Sequence, residues 1–229
     1  MRLSIVIFDG LTTLDAVGGY EVLARLPGME TEFVAASRGV IAADTRRLGL
    51  VAWRGFDEVA ATDILYVPGG PGAFALEKDD RFLEKLRQLD KSSTWTVGIC
   101  NGVGLLGAAG LLQGRQATTN WFYQDRLAAF GATFTGERYS RDGKYVTGAG
   151  VSASIDTGLF LASLIAGERV AKALQLGIEY YPAPPFPEQG PDDVPKELLA
   201  RVRKADGGTE TLRVQPPFHA MLAPAGGDG

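Results

Sequence analysis

One cysteine and one histidine occur among 229 residues, Cys100 and His219. A single cysteine excludes an intramolecular disulfide and any cysteine-rich metal centre. The lysines and arginines form no cluster and the net charge is −4, so nucleic acid and anionic membrane surfaces are poor partners. No apolar run is long enough to span a bilayer, and the N-terminus lacks the basic and apolar regions of a signal peptide. We therefore expect a cytoplasmic protein with no membrane partner, no nucleic-acid partner, and neither a metal nor another cofactor.

The composition is that of an ordinary globular protein, with 45% hydrophobic and 22% charged residues. A chain of this length buries one large core, so we predict a single α/β domain over residues 1–205. Within it, residues 180–195 are proline-rich and predict an extended, aromatic-anchored arm, because proline fits neither a helix interior nor an inner strand. Residues 206–229 predict a frayed C-terminal tail, and His219 lies in that tail.

Strands alternate with helices along most of the chain. Residues 3–8 and 64–67 are nearly continuous apolar runs rich in β-branched residues, which is typical of strands covered on both faces. Further strands are predicted at 31–37, 48–53, 95–99, 133–135 and 145–147, with a short extended piece at 117–120. Helices are predicted at 16–26, 80–89, 121–130, 151–166, 168–176 and 196–205. This alternation predicts a mostly parallel sheet with helices on both faces.

Cys100 lies where a predicted strand turns into a predicted helix within two or three residues. Such a turn, a nucleophile elbow, lifts the corner residue out of the sheet and places it at the start of a helix. Amide dipoles at a helix start favour the thiolate, so we expect a reactive and unusually acidic thiol. The alternative is a buried cysteine that serves only as a small apolar filler.

Other polar or glycine-rich positions also follow predicted strands. Asp15 follows the first strand, Gly69-Gly70 the 64–67 strand, and Thr119-Asn120 a short extended piece. Because sites of parallel sheets lie at the carboxyl ends of strands, these positions are candidates for the same site as Cys100. Two of these positions have a structural alternative: Asp15 is also a reasonable helix N-cap, and the glycines can serve only as a tight turn. The glycine-rich turn is not a phosphate loop, because no Gly-Lys-Ser/Thr follows it.

Several motifs together resemble the ThiJ/PfpI superfamily, which has the class I glutamine amidotransferase-like fold, and within it the isocyanide hydratases. The resemblance covers about residues 2–203. The motifs that carry it are Leu14-Asp15, Glu21-Val22-Leu23-Ala24, the Pro68-Gly69-Gly70 turn, the elbow at Cys100, residues 107–114 (GAAGLLQG), Ala117-Thr118-Thr119, and residues 179–186 (EYYPAPPF). The last is the most diagnostic, since the wider superfamily lacks it.

Two positions depart from the hydratase pattern. The elbow of the hydratases has Cys-Thr-Gly, whereas this chain has Cys100-Asn101-Gly102, and their Thr-Thr-His-Trp is here Thr118-Thr119-Asn120-Trp121. The second change removes the histidine of a Cys-His dyad, which disfavours peptide hydrolysis because no group shuttles a proton to the leaving amine.

A thiolate and a carboxyl group without histidine suit the hydration of an isocyanide. The soft thiolate adds to the isocyanide carbon, the carboxyl group donates a proton to that carbon, and water then yields an N-substituted formamide. The predicted site is Cys100 and Asp15 as catalytic residues, with Gly69, Gly70, Asn101, Thr119 and Asn120 binding substrate or developing charge. Two alternatives stay open: a redox or stress-response protein with an oxidisable cysteine, and a small-ligand sensor related to transcriptional-regulator domains. The apolar arm and the resemblance together predict a homodimer.

Overall fold

The computed structural model describes residues 1–186 and 190–205; the predicted tail, His219 and Pro187 lie outside these ranges. The strands are Arg2–Val6 (β1), Glu30–Ala35 (β2), Gly39–Ala42 (β3), Gly49–Ala52 (β4), Arg54–Gly55 (β5), Ile64–Val67 (β6), Trp95–Ile99 (β7), Gln116–Ala117 (β8), Thr133–Phe134 (β9), Tyr139–Asp142 (β10) and Tyr145–Gly148 (β11). The α-helices are Thr13–Leu23 (α1), Ala73–Leu76 (α2), Asp80–Ser92 (α3), Gly102–Ala108 (α4), Gln124–Leu127 (α5), Ala153–Ala166 (α6), Glu168–Gly177 (α7) and Lys196–Ala205 (α8).

A seven-stranded sheet in the order β10-β11-β7-β6-β1-β2-β5 forms the centre of the fold. Neighbouring strands are parallel, except that β10 runs antiparallel to β11. The chain steps from β1 to β2 in one direction and from β6 to β7 in the other. Because crossovers between parallel strands are right-handed, this reversal places helices on opposite faces of the sheet. The predicted mostly parallel α/β fold is confirmed.

The reversal also creates a crevice between β1 and β6, at the carboxyl ends of the strands, where sheets of this kind bind ligands. Both strands that flank it are apolar and buried, as their continuous hydrophobic runs predict. The segments that follow β1, β6 and β7 therefore meet at one place.

Several local predictions are corrected by the structure. Residues 48–53 do form a strand, but β4 pairs with β3 in a separate hairpin, and β3 and β10 were not predicted. The predicted helix at 121–130 is confirmed only in part: it begins at Gln124 as the single turn α5 and continues as a 3₁₀ turn, Ala128–Phe130, whereas residues 121–123 are not helical. The first residues of that segment line a cavity instead, and the Tyr123 hydroxyl donates to Glu77 at 2.6 Å.

Candidate active site

Cys100 occupies the corner between β7 and α4, as predicted. Its φ is +55°, a left-handed conformation that a residue with a side chain rarely adopts. Hydrogen bonds to its backbone hold this strained corner: its amide donates to the carbonyls of Gly148 (3.1 Å) and Ala149 (2.8 Å), and the Thr119 hydroxyl donates to its carbonyl (2.6 Å). The segment after β11 and the segment after β8 thus fix the elbow from outside, and Thr119 contacts its backbone.

Cys100 is only 5% exposed, and its thiol lies beside a neutral amide. The Asn120 Nδ2 donates to Sγ at 2.8 Å, which favours a sulfur that carries negative charge. The Asn120 Oδ1 is buried and has no hydrogen-bond partner among the described residues. Asn120 therefore hydrogen-bonds directly to the sulfur, and it stands at the position where the hydratase pattern has histidine.

Asn101 joins the elbow to the glycine-rich turn after β6. Its Oδ1 accepts from the Gly70 amide at 2.7 Å, and its Nδ2 donates to the Gly70 carbonyl at 3.0 Å. Gly70 has a φ of +129°, and a Cβ there would lie 2.4 Å from the Thr12 nitrogen, so only glycine fits. We call this reciprocal pair the Asn101–Gly70 clamp. In it the Gly70 amide already has an acceptor, and the Gly69 amide is likewise bonded, to Asp15.

Asp15 lies in the first turn of α1 and is fully buried. It is not the N-cap residue, which is Thr12, and its Oδ2 accepts from the Gly69 amide at 2.8 Å rather than from its own helix. Its carbonyl accepts from the Tyr66 hydroxyl at 2.8 Å, which anchors the helix start to β6. The geometry therefore argues against the cap alternative.

Burial raises the pKa of Asp15 to about 8, because a carboxylate there loses its hydration. The negative charge of Asp44 raises the pKa further, whereas the hydrogen bonds with the Gly69 amide and with Cys100 lower it. At neutral pH the carboxyl group is thus mainly protonated. It touches the thiol and holds a proton, which is the state a proton donor needs.

A cavity of about 370 Å³ opens onto Cys100. None of the described residues that line it is Asp, Glu, Lys, Arg or His, and apolar side chains dominate its wall. The lining residues are Thr12, Leu14, Gly70, Pro71, Phe74, Cys100, Asn101, Asn120, Trp121, Phe122, Gly150, Val151 and Ser152.

The aromatic wall of this cavity was not predicted from the sequence. Trp121 and Phe122 follow Thr119-Asn120 directly, so their position after the short extended piece was an available signal. Phe74 lies just beyond the glycine-rich turn and gave no signal of its own. Within the described residues, no group of three or more His, Cys, Asp or Glu side chains is arranged to hold a metal ion. In the same part of the chain, no helix has the length and apolar character needed to cross a bilayer.

A doubly wound sheet with a strained cysteine elbow beside a buried carboxyl group defines a class of α/β proteins, and sequence comparison identifies the family. The DJ-1/PfpI family profile matches residues 1–164, and the chain belongs to that family. It is 35% identical over 215 residues to an isonitrile hydratase of Pseudomonas putida, with 94% of each chain aligned.

Solved structures agree with this assignment. A ThiJ/PfpI family protein from Pseudomonas syringae has a TM-score of 0.85 at 31% identity, covering 89% of this chain and 84% of that one. DJ-1beta of Drosophila melanogaster has a TM-score of 0.71 at 18% identity, covering 79% of this chain and 98% of that one, which is a likeness of fold.

Proposed function

We propose that the protein is a hydro-lyase that hydrates organic isocyanides to N-substituted formamides. The observation that carries the proposal is that Cys100 lines the cavity and its side chain hydrogen-bonds with Asp15, a fully buried carboxyl group that does not itself line the cavity. The likeness to an isonitrile hydratase over almost the whole chain supports it.

The first step joins Cys100 to the substrate. The thiolate donates an electron pair to the terminal carbon of R–N≡C, a C–S bond forms, and one C–N π bond shifts to nitrogen. The carbon keeps an electron pair and takes the proton of Asp15, which gives the thioimidate R–N=CH–S. The Nδ2 of Asn120 stabilises the thiolate that must be present before attack.

The second step hydrates the thioimidate. The Asp15 carboxylate accepts one proton from a water molecule whose oxygen attacks the carbon, and the C=N π pair shifts to nitrogen. The nitrogen then takes the remaining hydroxyl proton. The C–S bond then breaks, the thiolate leaves, and R–NH–CHO is released. Asp15 is protonated again at the end, so atoms and charges balance without another reactant. The unpartnered Oδ1 of Asn120 provides an acceptor beside the sulfur for an N–H or O–H group formed on the way.

The substituent of the isocyanide is expected to be apolar and uncharged. Phe74, Trp121 and Phe122 offer aromatic surface, and none of the lining residues in the described part of the chain offers a cation to an ionised group. Aromatic and aliphatic isocyanides therefore fit, whereas an isocyanide bearing a carboxylate would lose its hydration without compensation.

Turnover of p-nitrophenyl isocyanide tests the proposal. Wild-type protein should produce the formamide, and Cys100→Ser should not, although that variant should fold normally because the two side chains are similar in size. An analogue with a para-carboxylate should react more slowly than the neutral compound. If wild-type protein forms no formamide from any neutral isocyanide, the proposal fails, and reversible oxidation of Cys100 or ligand sensing becomes the function to test.

A further inference from the structure

Asp44 is a second buried carboxyl group close to the site, and the mechanism above does not use it. It follows β3 and is 6% exposed. Its Oδ2 accepts from the Thr12 hydroxyl at 2.9 Å, its Oδ1 accepts from the Thr45 amide at 2.7 Å, and its own amide donates to the Leu11 carbonyl at 2.9 Å. The hairpin is thereby tied to the loop that leads into α1.

Thr12 connects Asp44 with the site. It lines the cavity, it immediately precedes α1, and its amide donates to the Gly69 carbonyl at 2.9 Å. The amide of Asp15 donates to the Thr12 carbonyl at 3.0 Å, so Asp15 and Asp44 are held by the same residue. The Thr12 hydroxyl donates its hydrogen bond to Asp44, and its oxygen accepts none from the backbone amides of the first turn of α1.

The groups that face Asp15 are few. The elbow presents Cys100, the turn after β6 presents the Gly69 amide, β6 presents Tyr66, and the hairpin presents Asp44. Among the described residues, no cation acts on Asp15. The hydrogen bond from the Gly69 amide stabilises the ionised form of Asp15, which cannot donate a proton. A nearby negative charge opposes this effect because it favours the protonated form.

We propose that Asp44 is a positioning residue that orients Thr12 and, through its negative charge, keeps Asp15 in the protonated form that donates to substrate. This inference deepens the proposed function, but its first test does not depend on isocyanide turnover. The charge of Asp44 acts on Asp15 whatever the substrate is.

The test is a carbon-13 NMR titration of the Asp15 carboxyl group in protein labelled at aspartate, with the resonance assigned by its loss in Asp15→Asn. Wild-type Asp15 should titrate near pH 8. In Asp44→Asn the midpoint should fall by about half a pH unit or more, because a like charge is removed. The asparagine can keep both contacts, since its oxygen accepts from the Thr45 amide and its NH₂ donates to the Thr12 hydroxyl.

Asp9→Asn is the matched control. Asp9 also accepts from the hairpin backbone, at the Ala42 amide (2.9 Å), but it is exposed and does not act on Asp15. The titration of Asp15 in this variant should equal that of the wild type. Asp44→Ser provides a second neutral variant if Asp44→Asn does not fold.

A midpoint that stays at the wild-type value in folded Asp44→Asn or Asp44→Ser overturns the inference. So does an equal shift in Asp9→Asn, because the effect would then be one of net charge. In turnover assays, the alkaline limb of the pH profile of kcat/KM should move to lower pH in Asp44→Asn. At a given pH on that limb kcat/KM should fall about threefold, whereas its plateau value at lower pH should not change. A shifted NMR midpoint without formamide from wild-type protein would reject the proposed function and leave this inference standing.

Discussion

The Asp15 carboxyl and the Cys100 thiol differ in how the chain positions them. Cys100 is placed by backbone strain at a corner, whereas Asp15 is placed by a helix start that Tyr66 and Gly69 anchor from the neighbouring strand. Both residue types and their places after strands were readable from the sequence. The burial that raises the pKa of Asp15 was not, because it depends on packing between segments distant in the chain.

Asp15→Asn separates proton donation from a structural role. The amide oxygen can still accept from the Gly69 amide, so the melting temperature should stay near the wild-type value or rise. Turnover of p-nitrophenyl isocyanide should fall by about two to four orders of magnitude, because an amide donates no proton to carbon. Alkylation of Cys100 by iodoacetamide should persist and serves as the control for an intact elbow. Retained turnover would return Asp15 to a structural role.

The raised pKa of Asp15 also predicts how stability varies with pH. The unfolded chain ionises this group near pH 3.8 and the folded protein only near pH 8, so the folded state binds more protons between these values. Stability should therefore decrease as pH rises from about 4 to about 8 on account of this group. Urea unfolding of wild type and Asp15→Asn across this range measures the difference. As pH rises, the free energy of unfolding of the wild type should fall relative to that of Asp15→Asn. A difference between the two proteins that does not vary with pH would contradict the raised pKa of Asp15.

Among the secondary-structure elements, strands that are apolar and buried on both faces were predicted well. Strands that form only because a neighbouring strand pairs with them were not predicted. β6 was predicted at its observed bounds because four consecutive apolar residues fit only a strand covered on both faces. β3 and β10 are partly exposed four-residue strands held by their hairpin partners, and their sequences carry little signal alone. The predicted helix at 121–130 begins three residues later than expected because its first residues line the cavity.

The Asn101–Gly70 clamp links two of these elements, the elbow and the turn after β6. In Asn101→Ala the buried Gly70 amide loses its acceptor, and the Gly70 carbonyl keeps only its bond from the Ala73 amide (3.0 Å), so the free energy of unfolding in urea should drop by about 1–3 kcal/mol. Asn120→Ala is the matched variant, because this asparagine is equally buried but bonds the sulfur. It should change the pH dependence of Cys100 alkylation more than stability. If both variants lose the same stability and neither changes the pH dependence of Cys100 alkylation, the separate roles of Asn101 and Asn120 are contradicted.

At the scale of the whole molecule, exposed apolar side chains predict a homodimer. Tyr181 is 60% exposed and Phe186 is 73% exposed, both on the arm expected to form contacts. Sedimentation at micromolar protein should give twice the chain mass, and the double variant Tyr181→Ser/Phe186→Ser should shift it toward one chain. Trp53, which is 68% exposed and lies between β4 and β5, is the comparison. If Trp53→Ser dissociates the dimer and the arm variant does not, the arm is not the interface; a wild-type monomer would contradict the prediction entirely.

The proposed mechanism depends above all on the covalent step at Cys100, which intact-protein mass spectrometry of acid-quenched reactions can detect. Wild-type protein mixed with p-nitrophenyl isocyanide and quenched within milliseconds to seconds should gain the mass of one isocyanide molecule, located at Cys100 by peptide mapping. The adduct should disappear as formamide accumulates, and Cys100→Ser should show neither. Formamide produced at an undiminished rate by Cys100→Ser, or an adduct on another residue that turns over in its place, would contradict the account.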